Sequence, residues 1–137
     1  MYVALLLDSD HYTDVEYLFD SDLVKLKEKV KQLIYNEEFD ILEEETDAEI
    51  VVSSQYGWIK CQTFEIEKYP YYLIWHHAYD GVDFTIRGYK TFDETREVML
   101  KEVEEEEKIE SFVYENEATL DNGTEFLHWE VIKHEEH

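Results

Sequence analysis

The residues best equipped to do chemistry in this chain are carboxylates, and they are gathered in two places. The run from Glu37 to Glu49 holds eight acids (Glu37, Glu38, Asp40, Glu43, Glu44, Glu45, Asp47 and Glu49) and no base. The run from Glu102 to Glu117 holds eight more, among them Glu102, Glu104, Glu105, Glu106, Glu107 and Glu110, against a single Lys108. Carboxylates at this density have three uses. They ligate a hard cation, they work in pairs as general acid and base, or they face a cationic surface.

The first two uses find little support. Asp8, Asp10 and Asp14 begin like a calcium loop, whose oxygens must alternate along a tight turn. Tyr12 then stands at the third ligand position, Thr13 at the glycine position and Phe19 in place of the bidentate glutamate. The segment reads as a polar hairpin turn. Glycosidase-type pairs are defined by distance, and among 35 acids some pair always lies at a suggestive spacing. His76 and His77 are neighbours, so on a strand they point to opposite faces and do not chelate one ion. His11, His128 and His134 have no chelating spacing, and one cysteine is a poor start for structural zinc.

Nucleophilic chemistry fares no better. Cys61 sits in Lys60-Cys61-Gln62, a mid-strand setting in which a free cysteine behaves as a small buried hydrophobe. No GxSxG, Walker A or GxGxxG motif occurs, and four glycines leave little for a phosphate cradle. The expectation is a protein that is not an enzyme, with no catalytic residue, no metal and no cofactor. A lone cysteine points to a reducing compartment. Leu5-Leu6-Leu7 follows no basic segment and is too short for a signal peptide or a membrane span. A cytoplasmic, non-membrane protein is expected.

That leaves the cationic surface. The formal charge is −23 over 137 residues, shared evenly between the halves: 17 acids and 6 bases in 1–69, 18 acids and 6 bases in 70–137. Such a charge opposes compaction, repels phosphate backbones and anionic lipid, and draws in basic surfaces. Disordered acidic chains lack aromatic residues. This chain has eleven Tyr, seven Phe and three Trp, with one Pro and four Gly, enough to fill a core. It reads as a folded polyanion.

The elements that must position these acids repeat at an offset of about seventy residues. Tyr2 to Leu7 and Tyr71 to Trp75 are apolar strands. Each is followed by a turn, Asp8 to His11 in the first half and Ala78-Tyr79-Asp80-Gly81 in the second. Val15 to Phe19 and Phe84 to Tyr89 are second strands. Ser21 is the expected N-cap of a helix over 21–36, carrying Leu23, Leu26, Val30, Leu33 and Ile34 at helical spacing. Thr91 to Glu94 is a capping box opening a helix over 91–107, with Phe92, Val98, Met99, Leu100 and Val103 as its stripe. Lys25, Lys27, Lys29 and Lys31 flank the first stripe and read as compensation for nearby carboxylates. Closing hairpins turn at Gln55-Tyr56-Gly57 and at Asp121-Asn122-Gly123. The expected fold is α+β: two small pseudo-repeated ββαββ units, 1–69 and 70–137, each an antiparallel sheet with one helix, joined at Tyr69-Pro70.

If the second acidic run continues its helix, Glu102, Glu106 and Glu110 share a face with carboxylates about 6 Å apart. Tyr56, Trp58, Phe112 and Tyr114 supply apolar anchors beside the acids. Like charges three or four apart cost roughly 0.2–0.5 kcal/mol per pair on a helix, so retaining them twice argues for a partner.

In size, charge, aromatic content and these carboxylate runs, the chain resembles the small acidic phage inhibitors of the anti-CRISPR and anti-restriction type, which mimic DNA. The resemblance is one of composition, with no motif to carry residues across. It implies an inhibitor lying on the basic nucleic-acid-binding surface of a nuclease or other defence protein in the bacterial host, without binding nucleic acid itself. Two alternatives stand beside it. One is an acidic immunity protein neutralising a basic nuclease toxin at an exosite; the other is a housekeeping domain whose charge serves solubility alone.

Overall fold

The computed structural model describes residues 1–9, 15–36, 41–45, 49–54, 57–78, 81–106, 111–121 and 125–134. The chain divides into two compact units, Met1–Glu67 and Lys68–His137, just ahead of the Tyr69-Pro70 junction. It is α+β, with one helix and one antiparallel sheet in each unit.

In the first unit, β1 (Tyr2–Asp8) is flanked by β2 (Glu16–Asp20) and by β5 (Gly57–Glu65). β4 (Glu49–Ser54) pairs with β5, and β3 (Ile41–Glu45) pairs with β4, giving the order β2-β1-β5-β4-β3. Val3, Ala4, Leu5, Leu6 and Leu7 are all buried, the continuous apolar pattern of a strand covered on both faces. Helix α1 (Leu23–Asn36) lays Leu26, Val30 and Ile34 on Ala4, Leu6, Ile59 and Cys61, with Tyr2 and Leu18 at the margin. These helix residues are four apart and so share one face. Each such buried side chain contributes about 1.5–3 kcal/mol.

The second unit has β6 (Tyr71–Ala78) between β7 (Asp83–Tyr89) and β10 (Phe126–Lys133). Beyond β10 come β9 (Glu117–Asp121) and β8 (Ser111–Val113), in the order β7-β6-β10-β9-β8. Gly81 takes φ +87° in the β6–β7 connection, a value that costs a residue without Cβ little. Helix α2 (Phe92–Glu105) buries Thr95 and Met99. Its flanking Phe92, Val98, Leu100 and Val103 pack on a cluster built from Leu73, Ala118, Leu120, Leu127, Trp129 and Val131. Gly88 is required for a different reason: a Cβ there would overlap the Tyr69 ring.

Three expectations are corrected. Each unit is ββαβββ rather than ββαββ, because β3 and β8 add a strand at the far end of each sheet. Both lie in or beside the acidic runs, where glutamate hides a strand pattern, and pairing with β4 and β9 overrides its weak β propensity. The N-cap of α1 is Asp22, not Ser21: its Oδ1 accepts from the N–H groups of Val24 and Lys25 at 2.9 and 3.3 Å. A carboxylate satisfies the same orphan donors as a hydroxyl and adds a negative charge at the positive end of the helix. Finally, α2 stops at Glu105 with Glu106 as its C-cap, short of the expected 107, and Glu110 of the expected ladder lies outside the described residues. Three consecutive glutamates with no base in the last turn oppose the helix dipole there. Thr91 caps α2 as expected, its Oγ1 accepting from the Glu94 N–H at 3.1 Å.

Candidate functional site

The first acidic run does not lie on a helix. Glu43, Glu44 and Glu45 fall on β3, the terminal strand of its sheet, and Glu49 opens β4. The register slips between Leu42 and Glu44, a bulge on an edge strand. A bulge there bends the edge away from further pairing. Glu37, Glu38, Asp40, Asp47 and Tyr56 lie outside the described residues, as do Asp10 and Asp14 of the supposed calcium loop. Trp58 sits half-buried at the start of β5, its amide N–H donating to Ser9 Oγ at 3.0 Å.

The second run splits into carboxylates with different fates. Glu102 points at Arg87 on β7 and accepts two parallel hydrogen bonds, at 2.7 and 2.8 Å. The indole N–H of Trp129 reaches the same carboxylate at 3.4 Å. The bidentate pair is a strong one, and the Glu102 hydrogen bonds hold the guanidinium pKa above its ordinary value. Glu102 therefore spends its oxygens fastening α2 over β7 and β10. Glu104, Glu105 and Glu106 are exposed at the carboxyl end of the same helix. Glu107 and Glu110 lie outside the described residues. Past them, Phe112, Val113 and Tyr114 are exposed on and after β8, and Glu115 is exposed beside them. Arg96 Nε donates to the Glu115 carbonyl at 2.9 Å, tying this loop to α2.

The lysines of α1 do what compensation requires in at least one case. Lys29 Nζ lies 2.8 Å from Asp20 Oδ2. That hydrogen bond, followed by the one from the Asp22 amide, holds the Asp20 carboxyl below its ordinary range.

Sequence spacing missed one pairing. His76 and His128 are register partners on β6 and β10, both buried, with ring centroids 5.4 Å apart. Thr119 Oγ1 lies 2.9 Å from His128 Nδ1, and the Phe126 ring stacks on His128 at 6.3 Å. The signal lay in the adjacency of β6 and β10, not in any spacing along the chain. Among the described residues no group of three His, Cys, Asp or Glu is placed to hold a metal. The pair is best understood as polar packing held by a threonine. Cys61 is buried in the first core, where packing explains it.

Among the described residues, no helix is long and apolar enough to cross a membrane. Neither a scan against protein-family models nor searches of curated proteins and of solved structures find a match to this chain.

Proposed function

We propose that this chain is a non-enzymatic, cytoplasmic inhibitor whose carboxylates bind the basic nucleic-acid-binding surface of a nuclease or other defence protein, acting as a DNA mimic. One observation carries the reading. Glu104, Glu105 and Glu106 stand exposed at the carboxyl end of α2, where the helix dipole is already negative and the last turn has no base. Charge so placed costs about 0.3–1 kcal/mol per residue at the surface. A basic partner turns that cost into attraction, and the opposed fields steer the encounter. The edge strand β3, with Glu43, Glu44 and Glu45 in sequence, is the second acidic segment of the reading.

The equal sharing of charge accompanies an equal sharing of architecture. The strand orders β2-β1-β5-β4-β3 and β7-β6-β10-β9-β8 correspond element for element, helix included. We read the units as two copies of one ββαβββ design, with the acids of the first on its edge strand β3 and those of the second at the end of α2.

The test is capture of a basic protein from a bacterial lysate, followed by competition with that protein's DNA or RNA. Reversing Glu104, Glu105 and Glu106 to lysine lowers the association rate about tenfold or more at low salt, within the range that steering supplies. The effect shrinks as the Debye length contracts to about 3 Å at 1 M salt. A mimic is displaced by nucleic acid. A stable ternary complex points instead to an exosite inhibitor of the immunity type. Unchanged binding after this reversal and after the Glu43, Glu44 and Glu45 reversal sinks the proposal.

A further inference from the structure

Exposed apolar surface is concentrated at one spot among the described residues. The exposed large hydrophobic residues are Tyr17, Val24, Leu33, Phe112, Val113 and Tyr114, so half of them are consecutive. Phe112 and Tyr114 are 60% and 57% exposed, well above Tyr17 at 38%. They lie on and immediately after β8, which ends its sheet: β9 takes one side, with Phe112 opposite Thr119 and Val113 opposite Ala118.

Edge strands carry unpaired backbone N–H and C=O groups, and native proteins blunt them with charge or bulges. The other three described edges follow that rule. β2 is bounded by Glu16 and Asp20, β3 carries Glu43 to Glu45 and a bulge, and β7 holds Asp83 and Arg87. Ser111-Phe112-Val113 has no charged residue at all. It is also firmly backed. Thr119 behind Phe112 is tied to His128, and Ala118 behind Val113 pairs with Trp129, both on the buried strand β10.

The surroundings choose the occupant. Glu104, Glu105 and Glu106 precede this edge, and Glu115 and Glu117 follow it. A second copy of the chain would bring −23 against −23, so self-pairing is opposed, whereas a cationic segment is drawn in. We propose that β8 is a docking edge, to which an extended segment of a basic partner adds as a further strand. Its main chain would hydrogen-bond to β8, its apolar side chains would cover Phe112 and Tyr114, and its lysines or arginines would meet the flanking glutamates. Strand addition of this kind takes affinity from the main chain and specificity from alternate side chains. The inference rests on the acid-reading function above and specifies how the partner is gripped.

Three peptides separate the possibilities: Lys-Val-Lys-Val-Lys-Val, the same peptide N-methylated at alternate backbone nitrogens, and Lys-Ser-Lys-Ser-Lys-Ser of equal charge. Titration into the intact protein at low salt, followed by amide NMR, is expected to move residues 111–114 with the first peptide. The other two bind about tenfold or more weakly, a loss of roughly 1.4 kcal/mol or more. Phe112→Ser combined with Tyr114→Ser gives a similar loss for the first peptide and leaves the melting temperature in place, because both side chains are exposed. Equal binding of all three peptides, or shifts confined to other residues, overturns the docking edge but leaves the acidic-surface reading standing. If none of the three binds, the docking edge falls. The acidic-surface reading is then judged by its own charge-reversal test.

Discussion

β3 and β8 hold the same place in their units and are chemical opposites. Each ends a five-stranded sheet, and each pairs only with the strand that follows it. β3 reads Ile-Leu-Glu-Glu-Glu, whereas β8 reads Ser-Phe-Val. Topology decides where an edge falls, and composition then decides whether it is closed or open to other chains. The interiors diverge in the same way. The first core is aliphatic with one thiol, while the second is packed around Trp129, with the part-exposed Arg87–Glu102 bridge beside it and the His76–His128 pair outside that cluster. One strand order thus accepts quite different contents. Volume and apolar pattern suffice for the fold, and particular side chains remain free for other purposes.

The largest expected effect breaks the support behind the open edge. Trp129→Ala removes a buried indole lying in the same cross-strand row as Val113 and Ala118, and takes the indole N–H away from the Glu102 carboxylate, leaving it the Arg87 pair alone. A stability loss of about 3–5 kcal/mol is expected in denaturant titration. A loss below about 1 kcal/mol would show that the site collapses to fill the space.

Next, the edges can be made alike. Glu43→Val, Glu44→Val and Glu45→Val together give β3 an uncharged edge of the β8 kind. Titration with Lys-Val-Lys-Val-Lys-Val should then move the amides of β3 as well as those of residues 111–114, since an uncharged edge is a pairing template. Shifts confined to residues 111–114 would mean that the bulge alone guards β3.

The helix starts offer a gentler comparison. Asp22→Ala and Thr91→Ala remove the caps of α1 and α2, and each should cost about 1 kcal/mol by thermal melting. Asp22 should cost the more of the two, because its charge also favours the helix dipole.

The smallest effect concerns Lys29→Met. The folded Asp20 carboxyl is held below its ordinary 3.8, so the pair stabilises the protein above the unfolded value. That contribution is lost as pH falls through the folded value. The difference in melting temperature between parent and variant should therefore be present at neutral pH and close below about pH 4. A difference that persists in acid would assign the effect to packing of the lysine stem.

Much of the fold was legible in the sequence for plain physical reasons. Leu26, Val30 and Ile34 mark a helix face, and Gly81 marks a turn. The missed strands are those whose stability comes from a neighbour: two apolar residues ahead of three glutamates, and a strand of only three residues. Ser21 and Asp22 are equally good caps on paper, and only the hydrogen bonds separate them. The acidic site was legible as charge but not as individual roles. Glu102 looks like its neighbours until Arg87 is brought beside it by the packing of α2 on β7. His76 and His128 are joined by register, which no local pattern encodes.

The hydrogen bonds that close each unit have a wider consequence. The Ile66 N–H donates to the Met1 carbonyl at 2.8 Å, and the His134 N–H donates to the Pro70 carbonyl at 2.9 Å. Each unit thus begins and ends at neighbouring points, because its first and last strands lie side by side. A module with adjoining ends can be spliced into a host loop, opened at a turn and rejoined, or strung in tandem, without threading the chain through itself. The chain is in this sense extensible: a further unit joined in tandem would leave the β1–β5 and β6–β10 pairings intact.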